Sequence, residues 1–148
     1  MSEQAGAGRE PRILVFSTNN ISDPGIDLAG SRHLHYSAAV TTIAVPCSSG
    51  INPGWILHAF ERGFDGVFIA SDGEEFAYLP DCNERSAAIA AAAQERMREA
   101  RLELQRLKLA ALCSVCAEPF VKYMREFSRM LAELGPARSL AAAGAGAD

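Results

Sequence analysis

The stretch Asn52-Pro53-Gly54-Trp55-Ile56-Leu57-His58-Ala59-Phe60-Glu61-Arg62-Gly63-Phe64-Asp65-Gly66-Val67-Phe68-Ile69-Ala70 reads as a helix running into a buried strand. Asn52 can cap a helix, and Pro53 suits its first position, where a missing N–H costs nothing. Trp55, Ile56, Ala59 and Phe60 recur at helical spacing, and Gly63 ends the run. Gly66 to Ala70 is then a short, continuous apolar run, the signature of a strand covered on both faces.

The same alternation extends in both directions. Upstream, Ile13-Leu14-Val15-Phe16 is a first strand, followed by a polar loop from Ser17 to Gly25 and a short helix predicted over Ile26 to His35. Thr41-Thr42-Ile43-Ala44-Val45 is a second strand, closed by Pro46. Downstream, a polar loop from Ser71 to Asp81 leads to a long helix from about Asn83 to Arg101. Leu107 to Leu112 is a fourth strand, although its leucines would also suit a helix. Phe120, Met124, Phe127 and Leu131 form one apolar face of a last helix, Glu118 to Leu134, stopped by Gly135-Pro136. The order βαβαβαβα implies an α/β fold, a parallel sheet with helices on both faces. Residues 1–10 are expected to form a disordered arm and residues 137–148 a disordered Ala/Gly tail, leaving one domain over 11–136.

Composition bounds the function. The chain has 148 residues, 49% hydrophobic and 22% charged, with a net charge of -4. That is enough for one cored domain, and its basic residues make no stripe of the kind nucleic acid requires. No apolar run approaches the roughly 18 residues of a membrane span. Met1 to Arg9 lacks an apolar signal core, so a cytoplasmic location is expected. In that setting Cys47, Cys82, Cys113 and Cys116 are better read as free thiols or metal ligands than as structural disulfides.

Parallel sheets bind ligands at the carboxyl ends of their strands. That edge is built here from Ser17–Ile26, Pro46–Asn52, Ser71–Asn83 and Cys113–Glu118, and all four cysteines fall in or beside these segments. Cys113-Ser114-Val115-Cys116 can hold a metal, take part in a cluster or form a redox disulfide. A complete zinc or cluster site needs four ligands, so Cys47 and Cys82 would have to join it. Cysteines also pack as small hydrophobes, and that reading stands beside the metal one. His33 and His35, two apart, would point to different helix faces, and His58 sits near a solvent edge; none has a paired ligand spacing. Glu74-Glu75 reads as a solvated acidic loop. With no phosphate-binding glycine loop and no nucleophile motif, the chain is not expected to be catalytic alone.

The segments Ile13-Leu14-Val15-Phe16, Asp27-Leu28-Ala29-Gly30, Val45-Pro46-Cys47-Ser48, Ile51-Asn52-Pro53 and Ala59 to Val67 resemble the iron–sulfur delta subunit of methyl-viologen-reducing hydrogenase. The resemblance spans about Arg12 to Pro136. It implies a cytoplasmic electron-transfer subunit with a [2Fe–2S] cluster. Its partners would be a heterodisulfide-reductase-type flavoprotein and a hydrogenase or formate dehydrogenase. The family's cluster cysteines stand as a Cys-x-x-Cys after the first strand, one after the second and a pair after the third. Only Cys47 falls in such a place. The other positions carry Thr18, Ile21, Ser71 and Phe76, so the family's cluster cannot form on them.

Two redox readings follow from the resemblance, with a third from the residues. In the leading one the chain is a degenerate adaptor without a cluster, and Ile21, Ile51 and Phe76 are expected to expose an apolar docking patch in the vacated crevice. In the second, a remodelled cluster rests on Cys47, Cys82, Cys113 and Cys116. With the flavodoxin-like or Rossmann-like strand order 2-1-3-4, Cys47 and the 113/116 pair would lie about 14 Å apart, three spacings of about 4.8 Å. Cys82 could reach the pair from its long loop, whereas Cys47 could join only if its loop crossed strand one. The third reading is a zinc site or thiol–disulfide switch at Cys113/Cys116.

Overall fold

The computed structural model of the chain describes residues 10–19, 22–72 and 81–137. Four strands, β1 (Ile13–Thr18), β2 (Val40–Val45), β3 (Gly66–Ser71) and β4 (Leu107–Ala111), alternate with four helices, α1 (Ser22–Ser31), α2 (Pro53–Glu61), α3 (Cys82–Glu99) and α4 (Ala117–Leu134). The strands form one parallel sheet in the order β2-β1-β3-β4. The expected fold class and strand order are therefore found. The expected arm and tail lie outside the described residues, apart from Glu10, which accepts a hydrogen bond from the Ser37 hydroxyl, and Ala137.

Period-two alternation divides the core cleanly. Ile13, Val15, Phe68 and Ala70 face α1 and α4, where they meet Ile26, Ala29, Phe120, Met124, Phe127 and Leu131. Leu14, Phe16, Val67 and Ile69 face α2 and α3, against Ile56, Phe60, Ala93 and Met97. The two central strands are buried along their whole length, as continuous apolar runs require, whereas β2 is an edge strand with its middle exposed. The amphipathic stripe read in the last helix is buried on the first of these faces. Gly63, at φ +96°, makes the left-handed turn that lets the Phe64 N–H reach the Ala59 carbonyl and releases the chain into β3.

One helix differs from expectation. α1 starts at Ser22, within what reads as a polar loop, and ends at Ser31, before His33 and His35. Pro24 sits in its first turn, where an N–H has no intrahelical partner to lose. At the far end His33 takes a left-handed conformation, φ 56°, and the Leu34 N–H bonds the Ala29 carbonyl, a helix stop made without glycine.

The amino ends of the strands are tied by charge. Arg106, just before β4 and 1% exposed, donates to the Asp65 carbonyl (3.1 Å), the Gly135 carbonyl (2.8 Å) and the Glu103 carboxylate (2.8 Å). Asp65 in turn accepts from the backbone N–H of Arg12 (2.9 Å) and of Ala137 (3.1 Å). The segments entering β1, β3 and β4 and the segment leaving α4 thus meet in one clasp.

Candidate functional site at the carboxyl edge of the sheet

At the opposite end, β1 delivers Thr18 between its two neighbours. Thr18 pairs with Val45 in β2, two residues before Cys47, and the next N–H, of Asn19, bonds the Val45 carbonyl. On the other side the Thr18 hydroxyl donates to the Asp72 carboxylate, directly after Ser71. Thr18 and Ser71 therefore share the edge with Cys47, as the register of the resemblance requires. Ile21, Phe76, Glu74 and Glu75 lie outside the described residues.

The position of Thr18 is occupied by a closed hydrogen-bond network. Its N–H donates to the Ser22 hydroxyl at 2.6 Å, its hydroxyl oxygen accepts the Ser22 N–H at 3.1 Å, and the Ser22 hydroxyl donates to the Ala70 carbonyl at 2.9 Å. Thr18, Ser22 and Asp72 are all buried, which makes satisfaction of these groups an energetic requirement. Beside them the Ser17 hydroxyl donates to Asp23 at 2.9 Å. Ser22 and Asp72 carry no motif in the sequence, and Asp23 reads there only as a helix start. The only signal for them is position, at the end of a strand or the start of the next helix.

Cys47 and Cys82 meet on the other side of this network. A short turn, Ser48–Gly50, crosses β1 and reaches β3 and the start of α3. Cys82 opens that helix and belongs to its buried stripe with Ser86, Ala90, Ala93 and Met97. The two thiols lie close enough to shift each other's ionisation. The Ser48 hydroxyl lies 3.6 Å from the Cys82 sulfur and 2.6 Å from the Ser86 hydroxyl, and the Ser49 hydroxyl lies 3.1 Å from the Cys47 sulfur. Burial and the contact with Cys82 push the Cys47 thiol above its ordinary range. Burial also raises Cys82, but interactions with Cys47, Ser48, the Ser49 backbone and Ser86 outweigh it, so its thiol is held below its ordinary range.

Cys82 does not reach the 113/116 pair; its place on the buried stripe of α3 directs it to Cys47. Cys113 and Cys116 are bonded to each other as a disulfide in the loop between β4 and α4, with Cα atoms 5.0 Å apart. The four cysteines thus stand as two separate pairs. Among the described residues, no three His, Cys, Asp or Glu side chains are grouped as metal ligands. Ile51 corrects another expectation. At 2% exposure it packs with Ile56, Ala59 and Phe60 under the crossing turn, and offers no docking surface. His58 is exposed on α2 and faces Glu61 across one turn at 3.3 Å. No described helix is long and apolar enough to cross a membrane.

A family model for the delta subunit of methyl-viologen-reducing hydrogenase matches residues 13–135. The chain is 27% identical over 132 residues to an iron-sulfur subunit of the F420-non-reducing hydrogenase of Archaeoglobus profundus, covering 86% of this chain and 93% of that protein. It is 26% identical over 127 residues to the corresponding vhu iron-sulfur subunit of the F420-non-reducing hydrogenase of Methanococcus maripaludis, covering 86% and 95%. It is also 30% identical over 130 residues to a subunit of the ferredoxin:CoB-CoM heterodisulfide reductase of Methanosarcina mazei. That match covers 85% of this chain but only 16% of the relative.

Proposed function

Because this chain belongs to the methyl-viologen-reducing hydrogenase delta-subunit family, we propose that it is an accessory subunit of a redox complex that holds electron-carrying partners together without carrying the family's cluster. The carrying observation is the state of Thr18. A [2Fe–2S] cluster is held by thiolates, and here a hydroxyl stands at the first ligand position, committed to Ser22 and Asp72 in a buried network. Ser71 offers another hard oxygen where a soft sulfur is needed. The residues present do not fit the family's cluster, so no electron path is drawn through one.

Support for a docking role comes from the way the relatives are assembled. The same domain accounts for nearly the whole of the hydrogenase iron-sulfur subunits and for 16% of the heterodisulfide reductase chain. A domain that exists both as a free subunit and as part of a reductase chain has a natural neighbour in that reductase. The partners proposed here are accordingly a heterodisulfide-reductase-type flavoprotein and a hydrogenase or formate dehydrogenase.

A second reading rests on the Cys47–Cys82 contact. Two adjacent thiols at the crevice are half of a ligand set, which a partner protein could complete. Anaerobic co-purification from the native host, with iron and sulfide measured on the complex and on the released chain, separates the readings. The adaptor predicts a reductase or hydrogenase partner and no iron assigned to this chain. Iron and acid-labile sulfide lost on Cys47→Ser would replace it with the shared cluster, and failure to recover any redox partner would remove both.

A further inference from the structure

We infer that Cys113 and Cys116 form a two-electron dithiol–disulfide site that exchanges with a dithiol reductant while the domain stays folded. The inference goes beyond the adaptor reading and does not depend on it. Three observations carry it.

The first is access. Both cysteines are partly exposed, Ser114 between them is exposed, and Val115 is 71% exposed, so the loop stands out from the carboxyl edge. The second is the position of Cys116, which occupies the cap of the 18-residue helix α4 with no side chain capping that end. The N–H groups of Ala117 and Glu118 have no intrahelical carbonyl (Pro119 has no N–H), and their partial positive charge stabilises a thiolate released there. Exposed Glu118 in the same turn opposes this in part. The third is isolation: Cys47 and Cys82 are engaged with each other at the crossing turn, so this pair has its own exchange chemistry.

The exchange balances as follows. A thiolate of the reductant attacks the Cys113 sulfur, the Cys113–Cys116 bond breaks, and its electron pair leaves on Cys116 at the helix end. The second thiol of the reductant, as thiolate, then attacks the mixed disulfide and closes the reductant's own disulfide, releasing Cys113 as thiolate. Two electrons and two protons pass from reductant to protein, where both sulfurs become thiols. α1 lies directly on this loop. A Cβ on Gly25 would come within 2.5 Å of the Cys113 carbonyl oxygen, so α1 and the loop leave no room for a methyl between them. α1 also carries Ser22 and Asp23, which tie down the end of β1 through Thr18 and Ser17.

The test uses the full chain equilibrated anaerobically in reduced and oxidised dithiothreitol at graded ratios, quenched in acid, denatured and labelled with a maleimide for peptide mass mapping. The expected result is a reversible transition confined to the 113/116 peptide. Labels per chain rise from two, on the thiols free here, to all four, with an unchanged circular dichroism spectrum. Cys47→Ser and Cys82→Ser should each keep the transition, and Cys113→Ser or Cys116→Ser should abolish it. Should either of the latter fail to fold, peptide mapping of the unaltered chain decides alone. Four labels at every ratio, reduction only once the spectrum shows unfolding, or one zinc per chain shielding both thiols would each overturn the assignment.

Discussion

Thr18 shows what a buried hydroxyl contributes at the end of a strand. Its hydroxyl touches Ser22 and Asp72, so polar satisfaction is part of what it contributes. Thr18→Val keeps the shape and removes these bonds, leaving the buried Ser22 N–H without this acceptor and Asp72 without this donor. The expected loss is about 1–3 kcal/mol in urea unfolding, the usual penalty for a stranded buried polar group. Glu103 supplies a pH-dependent counterpart. Its hydrogen bond to Arg106 outweighs desolvation and holds its carboxyl below the ordinary 4.5. A lowered carboxyl pKa favours the folded state above the ordinary value, and the contribution disappears as pH falls through the folded one. Glu103→Gln should therefore be less stable than the parent at neutral pH, and the two urea midpoints should converge in acid. What sequence makes legible at this scale is where Thr18 and Ser71 stand, because strand ends determine it. Ser22 and Asp72 stay hidden because serine and aspartate are common in loops, and only the folded edge shows that these two are buried.

Elements with strong periodicity are legible from their patterns, and elements with weak periodicity are not. α2, β3 and α4 follow apolar spacing and glycine stops closely. α1 does not, since its first turn, Ser22 to Gly25, has loop composition and its end is a histidine in a left-handed conformation. A long loop would let Cys82 swing toward Cys113, but Cys82 begins a helix whose buried stripe faces the other way. The turn at Ser48–Gly50 is three residues long and leaves no periodic trace, so the crossing that brings Cys47 to Cys82 is absent from the pattern. At this scale the packing of α1 on the β4–α4 loop has a measurable consequence. Gly25→Ala forces a methyl against backbone, which cannot rotate away, and should cost about 1–3 kcal/mol as overpacking. The same substitution should speed maleimide labelling of reduced Cys113 and Cys116, because α1 and the loop must separate. An unchanged melting temperature together with unchanged labelling would mean that α1 does not press on the loop.

For the whole molecule, two apolar faces on one sheet account for the doubly covered fold, and alternation along β1 and β3 allots each face its helices. The expected apolar display at the crevice is not found at Ile51. The large exposed apolar side chains among the described residues are Ile43, Trp55 and Val115. Ile43 and Trp55 border an apolar groove of about 480 Å³ between α2 and the face of β1 and β2. Surface of that kind is invisible to periodicity, because Ile43 reads as an ordinary strand residue until its edge position is known.

The clasp around Arg106 sits at the pole of the sheet farthest from the crevice, and it joins three strand entrances to the end of α4. Such a domain is pinned from beneath. The clasp's bonds involve none of the crevice residues, so the two ends of the sheet are held independently.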